Sequence, residues 1–262
     1  MDLFEDTRFR KLSEEANNRN GIHGQIDQLH EEIGELMVAI RHHNRGKATL
    51  DDVLEEVCDL EQMILSVTRA FGIKAWELNA MRRKKLDKFE DYLVMARAED
   101  FALKAHAGQT YGNYTYDFHL RSVVSVLRSH GVTDTSLLAS GWLHDVVEDT
   151  DFSVDDIEKS FGSKVAKLVY AVTDEPGKSR KERKAKTYSK IRGNKDATIL
   201  KLADRCANLL YSLETDNKDM LSMYRKEHAE FSKQLKEGLL ISDTEQELWD
   251  RVDGFFVTSE LD

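Results

Sequence analysis

Two groups of residues in the chain have the types and spacing to do chemistry. The first is acidic: EEIGELMVAI supplies Glu31, Glu32 and Glu35, and EEVCDLEQMI supplies Glu55, Glu56 and Asp59. Glu32 and Glu35 stand three residues apart, so on a helix they emerge from one face, and Glu56 and Asp59 repeat that spacing. If the two helices pack antiparallel, four carboxylates converge on one spot, where they repel unless cations lie among them. Hard oxygen ligands suit Mg²⁺, which keeps several waters and binds through carboxylates plus phosphates. Taken singly, each glutamate reads as the solvent face of an amphipathic helix. Two paired sets, each beside an apolar stripe, favour a site.

The second group is mixed: His119, the pair His144-Asp145, and Asp204. The pair ends the apolar run of LLASGWLHDVVEDT, and Asp204 lies within ILKLADRCANLL. An ionisable group in such a buried stripe is expensive unless paired or bound to metal. Two imidazoles and two carboxylates suit a transition ion such as Mn²⁺ or Fe²⁺, with positions left for water and substrate. Such an ion makes a bound water acidic enough to attack phosphorus. Lone histidines such as His23, His42 and His228 read as structural.

The elements that must position these groups are helices. The sequence holds a single proline, Pro176, and proline breaks helix interiors. Apolar residues recur at helical spacing through Ile22, Ile26, Leu29, Ile33, Leu36, Met37 and Ile40, then through Val53, Val57, Leu60, Ile64 and Val67, then from Ile73 to Tyr92. Asn44, Gly46, Thr49 and Gly72 mark the breaks. We expect four helices between Asp2 and about Met95, packed as a bundle with short connections. A soft boundary near Leu93 divides a domain over residues 1–94 from a multi-helical one over 95–262, with no flexible linker between them.

Beyond the boundary we expect a helix around Leu93–Ala107, a Gly- and Tyr-rich loop to Thr115, and a helix from Tyr116 to His130. Thr133 is placed to cap the next helix, and Ser153/Asp156 and Ser242/Glu245 have capping-box spacing. Asp174–Lys178 reads as a turn, followed by the basic stretch SRKERKAK. The fold class is all-α.

Bulk properties narrow the function. The 262 residues carry a net charge of −10, against broad nucleic-acid binding. A small phosphorylated substrate held by local basic groups or metal remains compatible. Cys58 and Cys206 lie in helical patterns and cannot frame a disulfide scaffold, which implies a reducing, cytoplasmic setting. The charged start MDLFEDTRFRKL lacks a signal-peptide core, and no apolar run is long enough for a membrane span.

The motifs also carry resemblances. EEIGE at Glu31–Glu35, followed by EVCD at Glu56–Asp59, resembles the EExxE…ExxD mark of the MazG family of nucleoside triphosphate pyrophosphohydrolases. That resemblance implies Glu32, Glu35, Glu56 and Asp59 as Mg²⁺ ligands and a homo-oligomer, dimer or tetramer. Lys84, Lys85, Arg82 and Arg83 would then be candidates to meet phosphates, with Asn79 near the site. A basic helix end is equally a solvated face.

The ordered set H…HD…D marks a resemblance to the HD hydrolase superfamily. More narrowly, residues from about Ala98 to Ser212 resemble the hydrolase domain of the Rel/SpoT alarmone enzymes. The matching stretches are AHAGQT, YDFHL, LHDVVEDT, FGSKVAKLV and KLADRCANL. This implies His119, His144, Asp145 and Asp204 as metal ligands, with Glu148 and Asp149 as the acid/base pair. Each of that pair stands four residues after a ligand, so a helical turn would carry both to the metal's edge. Asn208, one turn beyond Asp204, would face the same pocket, as would Lys201 and Arg205.

The alarmone hydrolases have a basic Arg-Lys pair after GQT, where this chain has Tyr111 and Gly112. Tyr111 either stacks on a base or packs internally. Lys178, Arg180, Lys181, Arg183 and Lys184 either clamp phosphates or form a solvated face. The expected activity is metal-dependent nucleotide (pyro)phosphohydrolysis, with (p)ppGpp-type turnover at the second site and (d)NTP pyrophosphohydrolysis at the first. The alternative is another phosphorylated nucleotide at the second site, with the first domain serving as an oligomerisation or sensing module.

Overall fold

The protein's structure, a computed structural model, describes residues 6–236 and 242–257. The expected helical start at Asp2 lies outside them. The described residues form helices apart from one small hairpin, and the chain divides into two compact units between Lys88 and Phe89.

The first unit holds α1 (Thr7–His43), α2 (Leu50–Ala70) and the start of α3 (Ala75–Ala105). Asp6 caps α1 by accepting from the Phe9 N–H, and Thr49 and Asp52 form a reciprocal capping box on α2. Gly21 interrupts α1 with φ 67°, ψ 176°, a conformation open to glycine but not to side chains with a Cβ. The four expected helical segments are therefore present, two of them joined through Gly21.

α1 and α2 pack antiparallel: Ser66 Oγ donates to Gln25 Oε1 at 2.6 Å, while Glu35 lies beside Glu56. Within this unit the extensive helix packing is between α1 and α2. The apolar stripes that the sequence assigns to a bundle interior stay partly open: Met37, Val57 and Trp76 are 60%, 43% and 69% exposed. Helical periodicity identifies an apolar face but not what covers it.

α3 continues into the second unit as one helix, where the sequence suggested two. No proline or glycine lies between Ala75 and Ala105 to stop it. The GQTYGNYT segment then folds as β1 (Thr110–Tyr111) and β2 (Tyr114–Thr115), paired antiparallel with Tyr111 opposite Tyr114. This hairpin was expected as a loop; its two-residue turn has Gly112 first, at φ 59°.

The remaining elements are α4 (Asp117–Ser129), α5 (Thr135–Leu143), α6 (Val146–Asp149), α7 (Val154–Phe161), α8 (Ser163–Val172), α9 (Arg180–Ile191), α10 (Lys195–Glu214), α11 (Lys218–Lys236) and α12 (Asp243–Val257). The cap of α5 is Asp134 rather than Thr133, because the Asp134 carboxylate reaches the Leu137 N–H at 2.9 Å. Ser153 and Asp156 make the expected capping box. Ser242 accepts from the Glu245 N–H, but the Glu245 carboxylate turns inward to accept from Trp249 Nε1.

α10 runs through the core and packs against α4, α5, α8, α9, α11 and α12. Leu127, Leu143, Leu200, Leu202, Phe231 and Trp249 are fully buried around it. Burying each such side chain contributes about 1.5–3 kcal/mol. No described helix is long and apolar enough to cross a membrane.

Candidate active site

The apolar face of α4 carries Leu120, Val123, Val124 and Leu127, and His119 shares its burial. α5 approaches this face at Gly141, where an added Cβ would sit 2.9 Å from Leu127 Cδ1 and 3.1 Å from Val124 Cγ2. Only glycine permits that separation without displacing a neighbour. The close approach brings His144, at the end of α5, against His119, with their Nε2 atoms 3.2 Å apart.

Asp145 Oδ2 lies 3.1 Å from His144 Nε2 and 3.4 Å from His119 Nε2. Asp204 Oδ1, from α10, lies 3.5 Å from His119 Nε2 and 3.8 Å from His144 Nε2. One donor atom each from His119, His144 and Asp204 lies within 4.8 Å of the others, close enough to share one ion, and Asp145 Oδ2 stands beside both imidazoles though outside that trio. His144 Nδ1 is 3.0 Å from the Gly141 carbonyl oxygen, which can only accept; Nδ1 therefore carries a proton, and Nε2 is the nitrogen turned to the centre.

The electrostatics agree. Burial disfavours a charged imidazole at His144, yet the neighbouring Asp145 carboxylate outweighs it and pushes the group up to about 10. His119 is raised as well, burial being overcome by hydrogen bonds to Asp145 and Asp204. Against their own burial, the carboxyls sit well below the usual range, Asp145 through the charge of His144 and Asp204 through that of Lys201. Without a cation the cluster draws protons instead. The donor set and its field both fit a divalent metal.

Glu148 and Asp149 lie on the short α6, just beyond His144 and Asp145 in the chain. Partial desolvation raises the Glu148 carboxyl above its ordinary value, although the residue is exposed and its Oε2 accepts the Asp174 N–H at 2.9 Å. Partial desolvation and the charge of Asp145 raise Asp149, which is exposed as well. Both groups thus hold a proton more readily than ordinary carboxyls, as general acid/base work requires.

Lys201 Nζ donates to Asp204 Oδ2 at 2.9 Å, and Asn208 Nδ2 donates to Asp204 Oδ1 at 2.6 Å, as their expected place by the pocket allows. Arg205 is a correction. It is turned into the core, donating to the Tyr224 carbonyl and standing 4.1 Å over the Phe231 ring. One residue along a helix is about 100° around it, so Arg205 cannot share the face of Asp204.

Tyr111 stacks on His119 with ring centroids 4.8 Å apart, contacts Tyr211 at 4.5 Å, and its hydroxyl donates to Asn208 Oδ1 at 2.6 Å. Of its two open readings, internal packing is the one seen. In the basic stretch, Lys184 rather than Arg183 is the inner residue. Lys184 Nζ lies 3.0 Å from Asp174 Oδ2, whereas Arg183 Nε is 4.0 Å away with its side chain 41% exposed. Arg180 is paired with Glu227.

Sequence reasoning missed Tyr116, whose hydroxyl lies 2.8 Å from Asp145 Oδ2 and 2.9 Å from Asp149 Oδ2. It also missed Asp174, which joins Lys184 and Thr187 to the Glu148 side of the pocket. Tyr116 precedes His119 by three residues, which was the available signal.

The acidic group of the first unit is partly assembled. Carboxylate oxygens of Glu32, Glu35 and Glu56 lie within 4.8 Å of one another. Partial desolvation, then the charges of Asp59, Glu35 and Glu56, raise the Glu32 carboxyl. Asp59 is thus close by but outside that tight trio, and accepts a hydrogen bond from Gln62. Lys84 is exposed on α3, as are Arg82, Arg83 and Lys85, while Asn79 accepts from Arg82 within the helix.

This geometry has known counterparts. The HD domain family model matches residues 98–229, half of the chain and the part that holds every HD-site residue above, and the chain belongs to the HD-domain family. Among curated proteins it is similar to guanosine-3′,5′-bis(diphosphate) 3′-pyrophosphohydrolase MESH1 of Drosophila melanogaster, with 40% identity over 96 residues, covering 36% of this chain and 54% of the relative. The Homo sapiens protein of that name is 34% identical over 120 residues, covering 44% of this chain and 67% of its own length. This chain therefore spans between about half and two thirds of these relatives. A solved structure described as a metazoan ortholog of SpoT that hydrolyzes ppGpp superposes with a TM-score of 0.55 at 28% identity, over 64% of this chain and 96% of that one.

Proposed function

We propose that residues 95–262 form a metal-dependent phosphohydrolase domain acting on (p)ppGpp-type nucleotides. The observation that carries this reading is the convergence of His119, His144, Asp145 and Asp204, with the raised carboxyls of Glu148 and Asp149 beside them. The similarity to 3′-pyrophosphohydrolases supplies the substrate class. The four donors would hold Mn²⁺, which supplies Lewis acidity toward water and phosphoryl oxygen.

In that reaction water adds at phosphorus, the bond to the ribose 3′ oxygen breaks, and pyrophosphate leaves. Glu148 and Asp149 divide the proton work: one takes the proton of the water and the other returns one to the 3′ oxygen. Lys201 and Lys184 stand where they can offset charge on the departing phosphates.

Residues 1–94 are proposed as a MazG-like domain whose Glu32, Glu35, Glu56 and Asp59 take Mg²⁺ and act on (d)NTPs. One alternative has specific support. The packed Tyr111 removes the exposed stacking surface a guanine would use, and the open apolar faces of α1 and α2 suit self-association. On that reading the HD site takes another phosphorylated nucleotide, and the first domain is an oligomerisation or sensing module.

Phosphate and pyrophosphate release from ppGpp, a phosphorylated dinucleotide and the (d)NTPs, with Mn²⁺ or Mg²⁺, separates the readings. Wild type would be compared with Asp145→Ala and Glu35→Gln. Mn²⁺-dependent pyrophosphate release from ppGpp, lost only in Asp145→Ala, supports the leading assignment. Turnover of a different nucleotide, still lost in Asp145→Ala, replaces the substrate and keeps the site.

A further inference from the structure

The Tyr116 hydroxyl sits between two carboxylates of unlike role. One is Asp145, whose Oδ2 also faces both imidazoles; the other is Asp149 on α6. The hydroxyl has one proton and a carboxylate oxygen on either side, at 2.8 and 2.9 Å, so it donates to one and either shares that proton with the other or accepts from it when that carboxyl is protonated.

The ring that carries this hydroxyl is held firmly. It stacks on His106 with centroids 4.4 Å apart and planes 13° from parallel, and meets Tyr111 edge-on. His106 is itself 2.8 Å from Gln109 Oε1 through Nδ1, and Gln109 Nε2 donates to the Asp149 carbonyl at 2.8 Å. Tyr116 and Gln109 thus grip Asp149 by side chain and by backbone. A packed ring and a second hydrogen-bond path are what hold a reacting group to within a fraction of an ångström.

We propose that Tyr116 is a positioning residue that links the metal ligand Asp145 to the acid/base carboxyl Asp149, so that the placement of one sets the placement of the other. This rests on the reading of those two residues given above. Tyr116 does not touch the reacting atoms; it acts through both carboxylates.

Tyr116→Phe tests this, because it removes the oxygen and leaves the stacked ring. Turnover of ppGpp would be measured in wild type, Tyr116→Phe, Asp149→Asn and the double variant, alongside Mn²⁺ binding by calorimetry. We expect Tyr116→Phe to lower kcat about tenfold or more with KM changed less than twofold, and to weaken Mn²⁺ binding about tenfold. Adding it to Asp149→Asn should lower kcat no further. Wild-type kcat and Mn²⁺ affinity in Tyr116→Phe would overturn the proposal, as would losses that multiply in the double variant. If wild type leaves ppGpp intact, the substrate reading fails, while the Mn²⁺ titration still decides the link to Asp145.

Discussion

The Tyr111 hydroxyl donates to Asn208 Oδ1 at 2.6 Å, and the other end of that carboxamide donates to Asp204 at 2.6 Å. The hairpin is thereby joined to Asp204 through two hydrogen bonds, while the Tyr111 ring covers His119. Tyr111→Phe keeps the ring and cuts the chain of bonds. A bond of this kind is worth about 0.5–1.5 kcal/mol, so we expect a several-fold loss of Mn²⁺ affinity with little change in the circular-dichroism spectrum. Unchanged affinity in a titration would show that Asn208 orients Asp204 unaided.

Gly112 turns the hairpin against Tyr211. A Cβ there would lie 1.8 Å from the Tyr211 hydroxyl, at a backbone φ of 59°. Gly112→Ala should therefore destabilise the domain by about 1–3 kcal/mol, from steric displacement and left-handed strain together. Thermal melting checks this, and Tyr211→Phe in the same background should recover part of the loss by removing the oxygen the Cβ meets.

Asp174 gives a pH dependence. Burial would raise its carboxyl, but the Lys184 ammonium and hydrogen bonds outweigh that and hold it below the usual range. A depressed folded-state pKa contributes stability that is present above the unfolded value near 4 and lost as pH falls through the folded value. Asp174→Asn should cost stability at pH 7, and the gap from wild type should narrow in acid below about pH 4. Urea unfolding of both proteins across pH 3–7 measures it; a gap that stays constant would remove Asp174 ionisation as the cause.

Metal should stabilise the second unit. A cation that binds only the folded chain adds RT ln(1 + [M]/Kd), about 2.7 kcal/mol at a hundredfold excess over Kd. Mn²⁺ should accordingly raise the melting temperature, a chelator should reverse the gain, and His144→Ala should abolish it. A Mn²⁺ gain retained in His144→Ala would place the ion elsewhere.

Leu54 and Met37 are open on the first unit. Leu54→Glu should leave helicity unchanged and reduce the light-scattering mass of an oligomer toward that of one chain. An unchanged mass would separate self-association from this face.

Helices and metal donors were legible for the same reason: a histidine or aspartate inside an apolar helical stripe is conspicuous without any tertiary knowledge. Asp145 and Asp204 stand out that way, whereas His119 is singled out only by the ordered H…HD…D set. Tyr116 and Asp145 are 29 residues apart, and nothing local to either one signals their hydrogen bond. Lys184 was hidden among five basic neighbours until the inner face of α9 was fixed by Thr187 and Tyr188, which are buried beside it. The change of motif near Leu93 is not a change of element, because α3 runs unbroken from Ala75 to Ala105.

The bond from His144 Nδ1 to Gly141 has a consequence for proton traffic. An imidazole that relays protons must exchange them at both nitrogens, yet here one nitrogen is committed to a backbone carbonyl and the other faces the ligand cluster. His144 is therefore closed as a conduit, and turning its ring would break the contact with Gly141. In the proposed hydrolysis the proton work then falls to Glu148 and Asp149, which reach the edge of the pocket on α6. The buried centre can then keep a constant charge through the cycle while the changes of protonation take place on a single short helix.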